Sequence, residues 1–196
     1  MTPFEAFAAA FGVISVYLGT RQNILSWPTA LVNVALSAVV FFGARLYADM
    51  GLQVIYFVLS AYGWYKWMYG GANRTVLRVS RATPRTWVVL AVVNLVAWVA
   101  LGAFLSRSTN AALPWLDALL STTSLCAQWL MTRKVLENWA VWIALDIVYV
   151  PTFISRGLYA MAGLYAIFLV LAVMGWREWK RSLEAPAMLT PAPIAS

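Results

Sequence analysis

Apolar runs of about 16 to 21 residues alternate with short polar or basic breaks from one end of the chain to the other. That length crosses a bilayer as α-helix. The pattern predicts seven spans, at about 3–19, 26–44, 47–67, 86–106, 113–131, 138–154 and 158–178. The alternating, roughly ten-residue segments of a transmembrane β-barrel do not occur. Residues 69–85 read as a basic loop, and the Pro/Ala-rich end, "APAMLTPAPIAS" at 185–196, reads as disordered.

Composition agrees with an all-α membrane protein. The chain is 63% hydrophobic and 11% charged, where a soluble domain carries about 25% charged residues. The first 20 residues lack a basic start and carry Glu5, so they are expected to stay as a helix and not to be cleaved as a signal peptide. There is no His and one Cys, Cys126, which excludes an internal disulfide and His-based zinc sites or triads. No metal or cofactor is implied. The net charge of +7 is read as the positive-inside signature and not as a nucleic-acid surface. Of the 14 basic residues, eleven fall on one side of a seven-span topology: Arg21, Lys66, Arg74, Arg78, Arg81, Arg85, Arg133, Lys134, Arg177, Lys180 and Arg181. Only Arg45, Arg107 and Arg156 fall on the other. The expected orientation therefore has the N-terminus outside and the C-terminus in the cytoplasm. Trp27, Trp64, Trp67, Trp87, Trp139, Trp176 and Trp179 gather near the cytoplasmic ends, as an aromatic belt does.

The chain also resembles itself at a shift of 112 residues. "TRQNILSW" falls on "TRKVLENW", Leu46-Tyr47-Ala48 on Leu158-Tyr159-Ala160, Gly63-Trp64 on Gly175-Trp176, and Trp67 on Trp179, all without a gap. Helices 1–3 and 5–7 are thus expected to be copies. The unpaired helix 4 restores the direction of the second copy, giving two parallel three-helix repeats joined by a linker helix (3+1+3). The corresponding boundaries are 1–68 for the first repeat, 69–112 for the loop and linker helix, 113–181 for the second repeat and 182–196 for a disordered tail. Parallel repeats about an axis along the membrane normal are a transporter architecture, with the site between them near the midplane.

Polar residues inside the spans mark candidate chemistry. On helix 6, Trp139, Trp142, Asp146 and Tyr149 fall within roughly an 80° arc at about 100° per residue. Asp146 lies roughly 10 Å past Trp139, near the midplane. A carboxylate there costs about 2.5–3.5 kcal/mol on insertion scales, and no Lys or Arg lies at comparable depth. An indole face beside a carboxylate suits a flat cation, with Trp142 the better stacking residue. Further polar stripes carry Asn33 and Ser37 on helix 2, Asp49, Gln53, Tyr56 and Ser60 on helix 3, and Asp117, Ser121, Ser124 and Gln128 on helix 5. The bland alternative for these, above all the serines, is helix–helix glue.

The stretches "TRKVLENWAVWIALD", "VNVALSAVVFFGARLYADMGLQVIYF" and "YGWYKW" resemble the PnuC family of bacterial vitamin transporters, over roughly residues 20–180. The resemblance implies a SWEET-like fold, facilitated uptake of nicotinamide riboside across the inner membrane, trapping by a cytoplasmic kinase, and a homotrimer. The family's helix-6 signature maps onto Asn138, Trp139, Trp142 and Asp146, and Asn33 and Gln53 match polar family positions. Members that carry nicotinamide riboside can have Asn where this chain has Asp146. Related members carry thiamine or riboflavin. Nicotinamide riboside and thiamine both hold a cationic aromatic ring, which Asp146 fits; neutral riboflavin fits it less well.

Three functions compete at this level. A passive transporter for a cationic vitamin would use Trp142, Asp146, Trp139, Asn138, Asn33, Gln53, Gln128 and Tyr149 as substrate-binding residues. Direct use of ATP is not expected, since no Walker motif is present. An intramembrane enzyme lacks every motif it would need: there is no HExxH, GxSxG or GxGD-type aspartate pair. A membrane scaffold or receptor without transport is separated from the first reading by flux.

Overall fold

The computed structural model of this chain describes residues 3–43, 47–109 and 113–184. Arg45, the end of the predicted second span and the tail at 185–196 lie outside the described residues. Seven α-helices make up the described residues: α1 (Pro3–Thr20), α2 (Ser26–Gly43), α3 (Tyr47–Tyr69), α4 (Pro84–Ser108), α5 (Pro114–Thr132), α6 (Asn138–Ser155) and α7 (Tyr159–Glu184). A short 3-10 turn at Ala72–Arg74 lies in the basic loop.

The helix starts follow from local chemistry. Pro3, Pro28, Pro84 and Pro114 fall in first turns, where the missing N–H would have no partner within the helix. Thr83 caps α4, its hydroxyl accepting from the N–H of Thr86 at 3.2 Å. At the other end of the chain α7 runs through Glu184, which corrects the expected tail boundary: residues 182–184 are helical. Their sequence, "SLE", continues the amphipathic run of "REWKR", and Lys180 and Glu184 pair at i,i+4 with 3.8 Å between charged atoms.

Five helices, α1, α2, α4, α6 and α7, are long and apolar enough to cross a membrane. The other two, α3 and α5, carry polar stripes and pack against each other. The remaining contacts close a ring, with α1 on α2 and α7, α2 on α3, α5 on α6 and α6 on α7, while α4 packs on α5 from outside. The outer surface is apolar. Along α4, Val88, Val89, Val92, Val93, Leu95 and Val96 are all exposed, and only Gly102 is buried.

The core at one end is built from indoles. Trp27, Trp67, Trp179 and Trp139 form a chain of contacts with ring centroids 5.3, 5.7 and 5.4 Å apart. The two outer pairs are edge-on, a favoured aromatic geometry. Gly63 makes room for Trp27, and Gly175 for Trp139: a Cβ at either would come within 2.2 Å or 2.5 Å of the indole. Positions 112 apart make the same bonds here. Trp67 Nε1 donates to Met131 O at 3.0 Å, and Trp179 Nε1 donates to Gly19 O at 3.0 Å. The α1–α2 and α5–α6 turns match as well. Gln22 and Lys134 both sit in the left-handed region, at φ 55° and 53°. Thr20 and Thr132 both donate their hydroxyls to a carbonyl three residues back, at 2.7 Å.

The basic loop crosses this end and docks on the second turn. Ser80 N donates to Lys134 O at 3.1 Å, Leu136 N to Ser80 O at 2.9 Å, and Ala82 N to the Glu137 carboxylate at 2.9 Å. Lys134 is only 4% exposed. Its ammonium donates to Leu77 O at 3.0 Å and lies 4.6 Å from the centre of a Trp67 ring. Burial pushes that ammonium down from 10.5 to about 8.

Candidate functional site

Helix α6 brings most of the predicted residues along one line from the indole end into the bundle. Asn138 and Trp139 open the helix and are buried. The Asn138 side chain donates to Val135 O at 2.6 Å, while its Oδ1 is buried with no partner. Trp139 packs edge-on against Trp179 and over Gly175, so its ring is covered, and its Nε1 is also buried without a partner. Ser26 Oγ and Trp27 Nε1, 112 residues earlier, are unpartnered in the same way. Trp142, one turn deeper, is half-buried and touches both the indole cluster and the smaller cluster of Leu120, Ala127 and Leu145.

Asp146 is 2% exposed. Among the described residues no cation pairs with it. Its electrostatic neighbours are Tyr149 and Tyr165, which in turn lie near Tyr56. Tyr149 stacks on Phe153 at 5.6 Å and leans on Tyr165 at 4.7 Å, and Tyr165 meets Phe168 edge-on at 5.6 Å. A buried carboxylate thus shares the α6–α7 side of the bundle with an aromatic cluster. Across the bundle, the Tyr56 hydroxyl of α3 and the Ser124 hydroxyl of α5 share a short hydrogen bond.

The remaining predicted residues divide. Gln53 and Gln128 are half-buried on α3 and α5. Asn33 is tied to α1, its amide donating to Ala8 O at 2.6 Å, which is the glue role that polar residues play between membrane helices. Asp117 is held by Arg156 at 3.0 Å, with both side chains about a third exposed. Tyr165 and Phe168 were not anticipated. The shift of 112 could have found them, since they are the counterparts of Gln53 and Tyr56.

An apolar-surfaced helical bundle with a carboxylate buried inside it is a multi-pass membrane protein. Comparison with known proteins specifies which. A family model described as nicotinamide mononucleotide transporter matches residues 2–181. The nicotinamide riboside transporter PnuC of Escherichia coli (strain K12) is 30% identical over 203 residues, covering 91% of this chain and 85% of that protein. The riboflavin/roseoflavin transporter RibM of Streptomyces davaonensis is 32% identical over 179 residues, covering 86% and 80%. The crystal structure of the vitamin B3 transporter PnuC shares the fold, with a TM-score of 0.73 at 24% identity over 92% of this chain and 81% of that one. This chain belongs to the PnuC family. It is a multi-pass vitamin transporter of the inner membrane, not an enzyme.

Proposed function

We propose that this protein takes up nicotinamide riboside by facilitated diffusion, and that phosphorylation in the cytoplasm then traps the substrate. The observation that carries this reading is Asp146, a carboxylate 2% exposed in a membrane helix with no cation beside it among the described residues. Removing a charge from water is expensive unless an opposite charge meets it. A cationic aromatic ring would meet it. Trp142 and Tyr149 supply π-faces next to the acid. The orphaned Asn138 Oδ1 and Trp139 Nε1 offer one acceptor and one donor for a sugar hydroxyl or amide. Gln53 and Gln128 would complete the polar lining from α3 and α5, and Asn33, whose amide nitrogen is already bound to Ala8 O, would add only its carbonyl oxygen from α2.

The same carboxylate favours thiamine as a second reading. It argues against neutral riboflavin, the cargo named for the Streptomyces davaonensis relative.

The architecture we infer is 3+1+3: residues 1–68 and 113–181 form two parallel halves, joined by the loop and linker helix of 69–112. The paired turns, the crossed Trp67 and Trp179 bonds, and the matching contacts of α1 with α7 and α3 with α5 support it. Rocking of the halves would alternate access. In this reading the N-terminus lies outside, the C-terminus is cytoplasmic, and the chain assembles as a homotrimer.

Calorimetric titration of the detergent-purified protein with nicotinamide riboside, thiamine and riboflavin tests the substrate. Tight riboside binding with no thiamine signal is the expected result, and the reverse makes this chain a thiamine carrier. Flux into liposomes tests the mechanism. Equilibration without accumulation, indifferent to a proton gradient, is expected. Concentrative uptake would refute facilitated diffusion, and absence of flux would leave a scaffold or receptor.

A further inference from the structure

Helix α4 meets α5 closely only along part of its length. Towards the end away from the indoles, Gly102 lets Trp115 lie against the α4 backbone, and Trp98 Nε1 donates to Trp115 O at 2.9 Å. Near the middle Asn94 donates to the Thr123 hydroxyl at 3.1 Å. Towards the basic end the helices part. A cleft of about 550 Å³ opens there between α3, α4 and α5. Its walls are Leu59, Val89, Leu90, Val93 and Leu125, and Arg85 stands at its mouth.

The dimensions of this cleft select its occupant. Along α4 it extends from Arg85 to Ala97, about 18 Å of helix rise. One leaflet of the hydrocarbon core is about 15 Å deep. A transmembrane helix from a second copy would need a groove running the full thickness, and Trp115 closes this one beyond Ala97. An acyl chain that starts at the interface and ends near the midplane has the right length. Arg85 is exposed and makes no ion pair among the described residues. Arg81 is exposed four residues before it. Basic pockets between membrane helices recognise anionic head groups.

We propose that the α3–α4–α5 cleft is a binding site for one anionic phospholipid of the leaflet on the basic side. Its phosphate is held at Arg85, and one acyl chain lies along Val89, Leu90 and Val93. The site is separate from the substrate residues of α6.

Native mass spectrometry of the full chain, equilibrated with equimolar phosphatidylglycerol and phosphatidylcholine of identical acyl chains, tests this. One phosphatidylglycerol per protomer is expected to be retained over phosphatidylcholine by about fivefold, the effect of one basic residue near an anionic head group. Arg85→Ala should bring the two lipids to parity, while Arg74→Ala, an equal charge change elsewhere in the basic loop, should leave the preference intact. Ala97→Trp, which fills the inner end of the cleft, should release the bound lipid. Equal retention of the two lipids by the unaltered protein overturns the proposal without recourse to any variant. So does an equal loss with Arg74→Ala and Arg85→Ala. A multimer that Ala97→Trp converts to monomers would put a second copy in the cleft and also overturn it.

Discussion

Replacing Asp146 by Asn keeps the shape of the side chain and removes its charge, so it separates two contributions of opposite sign. In the empty protein the carboxylate is a liability. It is 2% exposed, and an Asp at the centre of a membrane helix costs about 2.5–3.5 kcal/mol. Asn relieves part of that, so the empty variant should melt at a higher temperature than the unaltered protein. In the complex the carboxylate gives a charge-assisted contact to the substrate ring, worth about 1.5–3 kcal/mol. Losing it should weaken binding of a cationic vitamin by about 10- to 150-fold. The assay is paired: a thermal melt in detergent without substrate, and calorimetric titration with nicotinamide riboside. Stability up and affinity down is the signature of a residue kept for binding at the expense of the fold. Lower stability with unchanged affinity would refute the reasoning. It would mean that Asp146 serves the fold, through its tyrosine neighbours, and not the ligand.

Trp142→Ala should weaken binding of the same ligand by about 2- to 30-fold if the indole faces the cation, the range of a cation–π contact of about 0.5–2 kcal/mol; titration checks it, and an unchanged affinity removes Trp142 from the site. Gly63→Ala and Gly175→Ala each push a methyl into a rigid indole and should each cost about 1–3 kcal/mol, read as lowered melting temperatures. Gly51→Ala and Gly163→Ala, where a Cβ meets nothing within 4 Å, should leave the melt unchanged or raise it. Lys134→Gln should flatten the alkaline stability profile. The fold holds Lys134 at about 8 against 10.5 unfolded, so between those values the unfolded chain binds the extra proton and stability rises with pH. The variant, which carries the residue found at the equivalent Gln22, should lose that rise in melts between pH 7 and 10.5.

The helices were legible because the membrane makes hydrophobic length an almost sufficient signal, and prolines punctuate the starts. The shift of 112 was legible because Gly63 and Gly175 face indoles at Trp27 and Trp139, contacts that tolerate no side chain. Less visible was what each candidate touches. Asn33 and Gln53 read alike as polar residues on a span, yet Asn33 is bound to the Ala8 carbonyl, a partner 25 residues away. Trp139 reads as a belt residue from its place near a helix end, but the covering of its ring by Gly175 and Trp179 is visible only in the fold. The docking of the basic loop on the second turn runs through backbone groups of Ser80, Lys134 and Leu136, which no side-chain pattern reports. Tyr165 was missed because an aromatic residue in an apolar helix looks like any other lipid-facing one until its neighbour is known to be Asp146.

Two of the seven helices, α3 and α5, are less apolar than the other five. One leaves the ribosome early and the other late, and each buries part of its surface on the other. Between them lies the shared hydroxyl hydrogen bond of Tyr56 and Ser124. Until residues beyond 113 have emerged, α3 therefore has its packing on α2 but not its contacts with α5. The first half of the chain, expressed alone, would leave the Tyr56 hydroxyl without its Ser124 partner.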